Sequence, residues 1–261
     1  HGDLGSMQIA LFYETSGRTR NFEYFSNVGA DIAYMAEHYF DHSNYLRIDG
    51  KPVLFVYLTR VLSRKGTLGE MVAIMRAAAK EAGHEIYIVG DEVFGQPPAS
   101  SDGIALLDAV TNYDVYGCMG AKGYAGQATV DRYYAVQSRW REKAHAEGVA
   151  FVPTATPGFN DKGVRGGHAA VSRKLDEGAE FGSLFRAMLE QAVDYTDEST
   201  GKMLLITSWN EWHEDTQIEP VEEAVPTKKD ASGTGEDFSE GLEYEGYGER
   251  YLQVLREVVE R

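Results

Sequence analysis

The sequence predicts a parallel α/β fold of the (β/α)8 TIM-type barrel class, with only six of the eight strands recognisable. Short, continuously apolar runs alternate with longer amphipathic stretches, the pattern of parallel strands buried on both faces and covered by helices. A doubly wound sheet satisfies the same alternation, so the strand ends decide. Tyr13-Glu14, Asp91-Glu92, Asn112-Tyr113, Thr156 and Trp209-Asn210-Glu211 place polar or aromatic groups where the chain leaves a strand. That is the habit of a barrel, whose chemistry gathers at the C-terminal strand ends. A length of 261 residues suits one catalytic domain spanning 1–261.

Taken in order, Met7–Glu14 reads as the first strand. Asn21–Phe40 follows as a helix, with Phe22, Phe25, Ile32, Met35, Ala36 and Tyr39 at helical spacing. Lys51–Thr59 is the second strand, and the helix GEMVAIMRAAAKEAG after it stops at Gly83. Glu85–Val93 and Asp108–Gly117 are the third and fourth strands. A helix over Thr129–Glu147 leads into the fifth, Val149–Gly158. The helix Phe181–Tyr195 precedes the sixth, Met203–Trp212. Gly248–Arg261 closes the chain, with Leu252, Leu255, Val258 and Val259 on one side.

Each β/α unit takes about 30 residues, so six strands place the start of the chain at the third strand of a barrel. Either the chain is part of a longer protein, or a second copy supplies the missing wall as a homo-oligomer. Val221–Gly248 is rich in Gly, Ser and acids and has no apolar periodicity, so it reads as a long acidic loop after the last strand. A lid over the site and a plain surface insertion are its two readings.

The formal charge of −16 argues against nucleic-acid and anionic-membrane partners and leaves neutral ligands such as sugars unaffected. Cys118 is the single cysteine, which excludes an intrachain disulfide and a cysteine-based zinc site. No apolar run approaches the roughly 20 residues needed to span a bilayer. No signal peptide is visible, but the opening HGDLGSM lacks a Met start, so cytoplasm and secretion both stay open. His38 and His42 stand four apart without the glutamate order of a metalloprotease pair, and read as a solvated helix end. The glycines of GCMGAKGYAG match no phosphate-binding fingerprint, and no nucleophile elbow occurs. Neither a cofactor nor a metal is expected.

The stretch that carries chemistry is LLITSWNEWHEDTQIEP, Leu204–Pro220. Glu211 and Glu214 are three apart: in a strand they face opposite sides, and in a turn they share one. Two carboxylates in one cleft repel, so that one stays protonated while the other ionises. Glycoside cleavage needs that division. Trp209 and Trp212 offer flat apolar faces that stack on sugar rings, and Asn210 can donate to a carboxylate or a sugar hydroxyl. A helix start capped by Asn210 would account for the acids but leaves both tryptophans unexplained.

SWNEWHEDTQIEP resembles the signature WNEWxEGTQIEP of glycoside hydrolase family 99, the endo-α-mannosidases, and of the related WbsX-like proteins of bacterial polysaccharide loci. FYETSGRT, DGKPVLFVY and RYLQVLREVVER also resemble family segments, so the likeness runs from about Gln8 to the C-terminus. The resemblance implies a (β/α)8 barrel whose first two strands have no counterpart here. It also implies retaining cleavage through a 1,2-anhydro sugar. By position, Glu211 would be the base on the sugar's own 2-hydroxyl, and Glu214 would protonate the leaving oxygen and then activate water. The residues alone give the pair and leave the roles unassigned. Asp215 stands where the family commonly has Gly; it would either raise the pKa of Glu214 or point outward.

Further candidates are Glu14 and Arg18 past the first strand, with Arg18 either holding sugar hydroxyls or forming a surface salt bridge. Tyr113 and Tyr116 flank the fourth strand's exit, where the family places a tyrosine; alternation sends them to different faces, and Tyr116 is preferred. TPGFNDKGVRGG resembles a family loop with a substrate-binding arginine, here Arg165, or is a simple Gly-rich turn. Asp91 and Glu92 either join an acidic cleft or satisfy loop amides, and Glu219 reads as structural. The expected activity is endo-acting hydrolysis of an α-mannosidic or related α-linked oligosaccharide or polysaccharide. A WbsX-like transferase of polysaccharide assembly and a non-catalytic carbohydrate-binding barrel are the alternatives.

Overall fold

The computed structural model describes residues 5–100, 102–229, 233 and 237–260. In chain order the elements are β1 (Leu11–Tyr13), α1 (Thr15–Arg18), α2 (Val28–Met35), β2 (Arg47–Ile48), β3 (Lys51–Val56), α3 (Thr59–Lys65), α4 (Leu68–Glu81), β4 (Tyr87–Asp91), β5 (Ala109–Thr111), α5 (Val115–Met119), α6 (Gln127–Ala146), β6 (Ala150–Val152), β7 (Thr154–Ala155), α7 (Ser183–Ala192), β8 (Leu205–Ile206), β9 (Ala224–Thr227), β10 (Tyr244–Gly246) and α8 (Arg250–Val259). They fall into two compact units. The first comprises His1–Tyr113, Arg139–Val152 and Asp197–Met203; the second comprises Asp114–Ser138, Pro153–Thr196 and Leu204–Arg261.

The first unit holds a sheet in the order β1-β3-β4-β5-β6, parallel at every step, with the short β2 antiparallel on β3. Val53, Leu54, Ile88, Val89 and Val110 are fully buried, which is why these strands read as continuous apolar runs. α4 buries Leu68, Met71, Val72, Met75 and Ala79, a single helical stripe. Each large side chain buried this way contributes about 1.5–3 kcal/mol. Asp197 ties the unit together, accepting from the Phe151 amide at 2.7 Å, His145 Nε2 at 2.7 Å and Arg141 Nε at 3.0 Å.

In the second unit β7 and β8 pair in parallel, Thr154 beside Leu205 and Ala155 beside Ile206. Val130, Tyr134, Leu184, Phe185, Met188 and Tyr251 form its core. β9 and β10 pair antiparallel.

All six expected strand positions carry strands, but their limits differ. The fifth, Val149–Gly158, breaks into β6 and β7 at Pro153, which has no N–H for a ladder. The fourth stops at Thr111 because the Asp114 side chain caps α5, accepting from the Gly117 amide at 2.8 Å. The sixth shrinks to Leu205–Ile206, and Trp212 lies in a 3₁₀ turn. The helix expected from Asn21 begins at Val28, since Asn21 and Phe22 have φ of 58° and 64°. It ends in a π turn over Ala36–Phe40. In α8 the buried stripe is Tyr251, Val254 and Val258; of the expected set, Val258 is buried, Leu252 and Leu255 are half-buried and Val259 is exposed. The expected loop 221–248 has strands at both ends, β9 and β10, where main-chain pairing replaces side-chain periodicity as the ordering force. Residues 230–232 and 234–236 of it lie outside the described residues. No described helix is long and apolar enough to cross a membrane.

Candidate active site

The candidate site lies in the second unit, on the turn that follows β8. Ser208 receives the Thr216 carbonyl at its amide (2.8 Å), and its Oγ accepts from the Glu211 amide at 2.9 Å. The Thr216 amide in turn donates to the Glu211 carbonyl at 3.3 Å. These bonds close residues 208–216 into a tight loop and force Trp212–Glu214 into one 3₁₀ turn. In that turn the Glu214 amide meets the Glu211 carbonyl at 3.4 Å, and residues three apart are eclipsed. Glu211 caps this turn and Glu214 closes it, so both carboxylates are carried by one short turn and not by a continued strand. Glu211 itself is the cap, its Oε1 accepting from the His213 amide at 3.3 Å; Asn210, the cap in the alternative helix-start reading, is exposed.

Both carboxylates remain reachable by solvent, with side-chain exposures of 41% for Glu211 and 20% for Glu214. Trp209 and Trp212 are about half exposed, unusual for the largest apolar side chain. The Trp212 indole is held by Nε1–H donating to Glu219 Oε2 at 3.2 Å, so the structural reading of Glu219 has a specific content.

The segment 159–168 supplies the cation. Arg165 Nη1 donates to Glu214 Oε1 at 2.7 Å and to Asp161 Oδ2 at 3.1 Å. Those two acids, Glu214 first, push the Arg165 pKa up. Asp161 is fully buried and also accepts from His168 Nδ1 at 2.8 Å. The Asn160 amide reaches the Glu214 carbonyl at 2.8 Å, which fastens this loop to the turn. Tyr116 stacks on Phe159, ring centroids 3.7 Å apart, and its hydroxyl accepts from the Ala169 amide at 3.1 Å.

Asp215 does not point outward. With φ of 50° it turns back into the unit, where Oδ1 accepts from Arg173 Nη2 at 3.0 Å and Nε at 3.2 Å. Burial pulls the Arg173 pKa down, but Asp215 and Tyr251 outweigh it and the net direction is up. The guanidinium also lies over the rings of Tyr247 and Tyr251, at 5.2 and 4.8 Å. Left-handed φ favours Gly, and this ion pair is what an aspartate gains there instead.

The remaining candidates belong to the first unit. Glu14 caps α1, accepting from the Ser16 amide at 2.8 Å. Arg18 is engaged with Asp31 through Nε at 3.0 Å, and the Tyr13 hydroxyl donates to the same carboxylate at 2.8 Å. For Arg18 this is the salt bridge left open by the sequence; the capping role of Glu14 was not anticipated. The Tyr113 ring packs with Phe12 and Tyr57, and its amide donates to Asp91 Oδ1 at 2.9 Å. Asp91 is fully buried, binding that amide, the Leu58 amide at 3.1 Å and Arg60, so it serves the loops. His38 and His42 each bond to local backbone, through Tyr34 O and the Asn44 amide. Among the described residues no cluster of three or more His, Cys, Asp or Glu could hold a metal ion.

Asp161, His168 and Arg173 were not singled out from sequence. The four-residue step from Asp161 to Arg165 inside a Gly-rich segment was a usable signal; for Arg173 none existed.

No curated protein matches the chain. Among solved structures, a glycoside hydrolase-like protein superposes with TM-score 0.58 at 23% identity, over 88% of this chain and 59% of its own. The GH99 endo-alpha-mannosidase from Bacteroides thetaiotaomicron in complex with BIS-TRIS-propane gives 0.57 at 24% identity, over 97% and 70%. A second structure of that enzyme gives 0.55 at 23%, over 97% and 66%. These likenesses establish a shared α/β fold, and this chain spans roughly 59 to 70% of those proteins. The family model described as Glycosyltransferase WbsX matches residues 22–226, most of the chain, and the chain therefore belongs to that family.

Proposed function

We propose that the chain is the catalytic domain of a retaining, endo-acting glycoside hydrolase that cleaves α-mannosidic or related α-linked glycans. The observation that supports this reading is the 3₁₀ turn that carries Glu211 and Glu214, both reachable by solvent, flanked by two half-exposed tryptophans. A glycan ring laid on the indole faces brings its 2-hydroxyl to Glu211 and its glycosidic oxygen to Glu214. Glu211 takes the 2-hydroxyl proton as the 2-oxygen attacks the anomeric carbon, and the bond to the leaving oxygen breaks. Glu214 gives that oxygen its proton. A water deprotonated by Glu214 then opens the resulting 1,2-anhydro sugar, and Glu211 returns the proton to the 2-oxygen. Two displacements at one carbon retain its configuration.

Arg165 holds Glu214 in the free protein and is bonded to Asp161 at the same time. An incoming glycosidic oxygen displaces the guanidinium from Glu214 while Asp161 keeps it in place, ready to receive a sugar hydroxyl. Tyr116, across from Phe159, and Asn210 line the same surface as binding groups. The parallel strands are proposed to belong to a (β/α)8-type barrel fold.

The test is incubation with α-linked mannooligosaccharides, following released sugar and its anomeric configuration by NMR. Release of the retained anomer supports the reading; full activity of Glu211→Gln would sink it. The family's description favours a second reading, glycosyl transfer during polysaccharide assembly. Consumption of a sugar nucleotide without release of free oligosaccharide would select it.

A further inference from the structure

One buried carboxylate in the second unit carries two exposed arms. Asp161 has no exposed side-chain surface, whereas His168 is 49% exposed and Arg165 54%. Both bond the same oxygen, Oδ2, His168 through Nδ1 at 2.8 Å and Arg165 through Nη1 at 3.1 Å. The two arms therefore lie side by side, and Arg165 Nη1 continues to Glu214 Oε1 at 2.7 Å. We infer that His168 is a further glycan-binding residue, its Nε2 accepting from a hydroxyl of the sugar held beside Glu214. The inference rests on the glycan reading of that site and adds to it a residue and a role.

A partner that served only to neutralise Asp161 would be covered along with it; the imidazole instead keeps about half its surface open. A carboxylate can only accept, so Nδ1 carries the hydrogen of their bond. That bond sets the role of the other nitrogen, which in neutral imidazole is an acceptor. Among the described residues Nε2 has no partner. A guanidinium has donors alone. Arg165 and His168 thus present a donor and an acceptor from one anchor, and a sugar hydroxyl, which is both, or two neighbouring hydroxyls of one ring, can engage the pair. The arm is also held in place before any ligand arrives. The Tyr116 ring, stacked on Phe159, lies 5.8 Å from the imidazole, and its hydroxyl accepts from the Ala169 amide at 3.1 Å. Glu240 Oε2 accepts from the next amide, Ala170, at 2.7 Å. Backbone fixed at two successive residues past His168 loses little freedom on binding.

The test is isothermal titration of the Glu214→Gln chain, which should bind without cleaving, with α-mannotetraose and maltotetraose as probes. His168→Asn keeps a donor where Nδ1 sits, and so the bond to Asp161, but removes Nε2. It should weaken whichever probe binds by about five- to tenfold, the share of one hydrogen bond. His168→Gln carries a polar group out to the Nε2 position and should recover most of that loss. A role confined to supporting Asp161 gives the reverse order of the two variants. That order, or an affinity unmoved by either substitution, overturns the inference and leaves the glycan reading standing. Binding of neither probe sinks both together.

Discussion

Glu214 and Asp215 are adjacent in sequence, each is paired with an arginine, and the two pairs have opposite characters. Arg173 and Asp215 are nearly inaccessible, with side-chain exposures of 5% and 15%, and two tyrosine rings and the Gln217 carbonyl at 3.0 Å complete the guanidinium's surroundings. Arg165, by contrast, is 54% exposed where it meets Glu214. A buried pair sits in low dielectric, and removing one partner strands a charge. An exposed pair is screened and exchanges freely with water or ligand. The first pair fixes the turn that carries the carboxylates, and the second leaves a carboxylate available for chemistry. What separates them is the left-handed φ at Asp215, which sends one side chain inward while its neighbour stays at the surface.

The sharpest way to break this comparison is at the proposed catalytic pair. Glu214→Gln should lower turnover of unactivated α-linked substrate by about 10²–10⁴-fold with ligand binding kept, and a substrate with an activated leaving group should restore part of it. Steady-state kinetics with both substrates decide the matter; equal losses on the two would remove the acid role. Next in size is Arg173→Met, which leaves Asp215 buried and unpaired. It should cost about 3–5 kcal/mol in urea unfolding, and a loss below about 1 kcal/mol would mean that the pair is not a fixed support.

Asp197 in the first unit extends the contrast to a third acid, this one buried. Burial raises its pKa, but His145, the Phe151 amide and Arg141 outweigh that and the folded value lies below the ordinary one. The unfolded chain therefore binds the proton more readily. The stabilisation is present above the ordinary carboxylate pKa and is lost as pH falls through the folded value. Asp197→Asn should cost about 1–3 kcal/mol near neutrality and flatten the acid limb of the stability profile, measured by urea melts from pH 7 downward. The smallest effect on folding belongs to Arg165→Ala, under about 1 kcal/mol because the side chain is mostly exposed. That variant should instead raise KM. A large fall in stability with unchanged kinetics would reverse the assignment of the two arginines.

Much of the scaffold was legible because apolar runs record burial directly. β3, β4 and α4 lie where their periodicity put them, since strands buried on both faces admit few polar residues. The ends were less legible. Asp114 caps α5 and Pro153 divides a strand through single local interactions, which a window of hydrophobicity averages away. The hairpin of β9 and β10 was hidden for another reason: its strands are exposed and held by main-chain bonds, so no side-chain pattern marks them.

By itself, the sequence determined the parallel α/β class, the order of its strands and the stretch 209–214 as the place to look, because each depends on residue type and spacing along the chain. Only the tertiary structure decided that Glu211 and Glu214 lie on one 3₁₀ turn, that Glu214 meets Arg165 and that Asp215 is spent on Arg173. Those outcomes rest on one backbone turn and on partners some 40 to 50 residues away. No local pattern encodes such distances, because the arginines reach the turn only after the second unit has packed its own core.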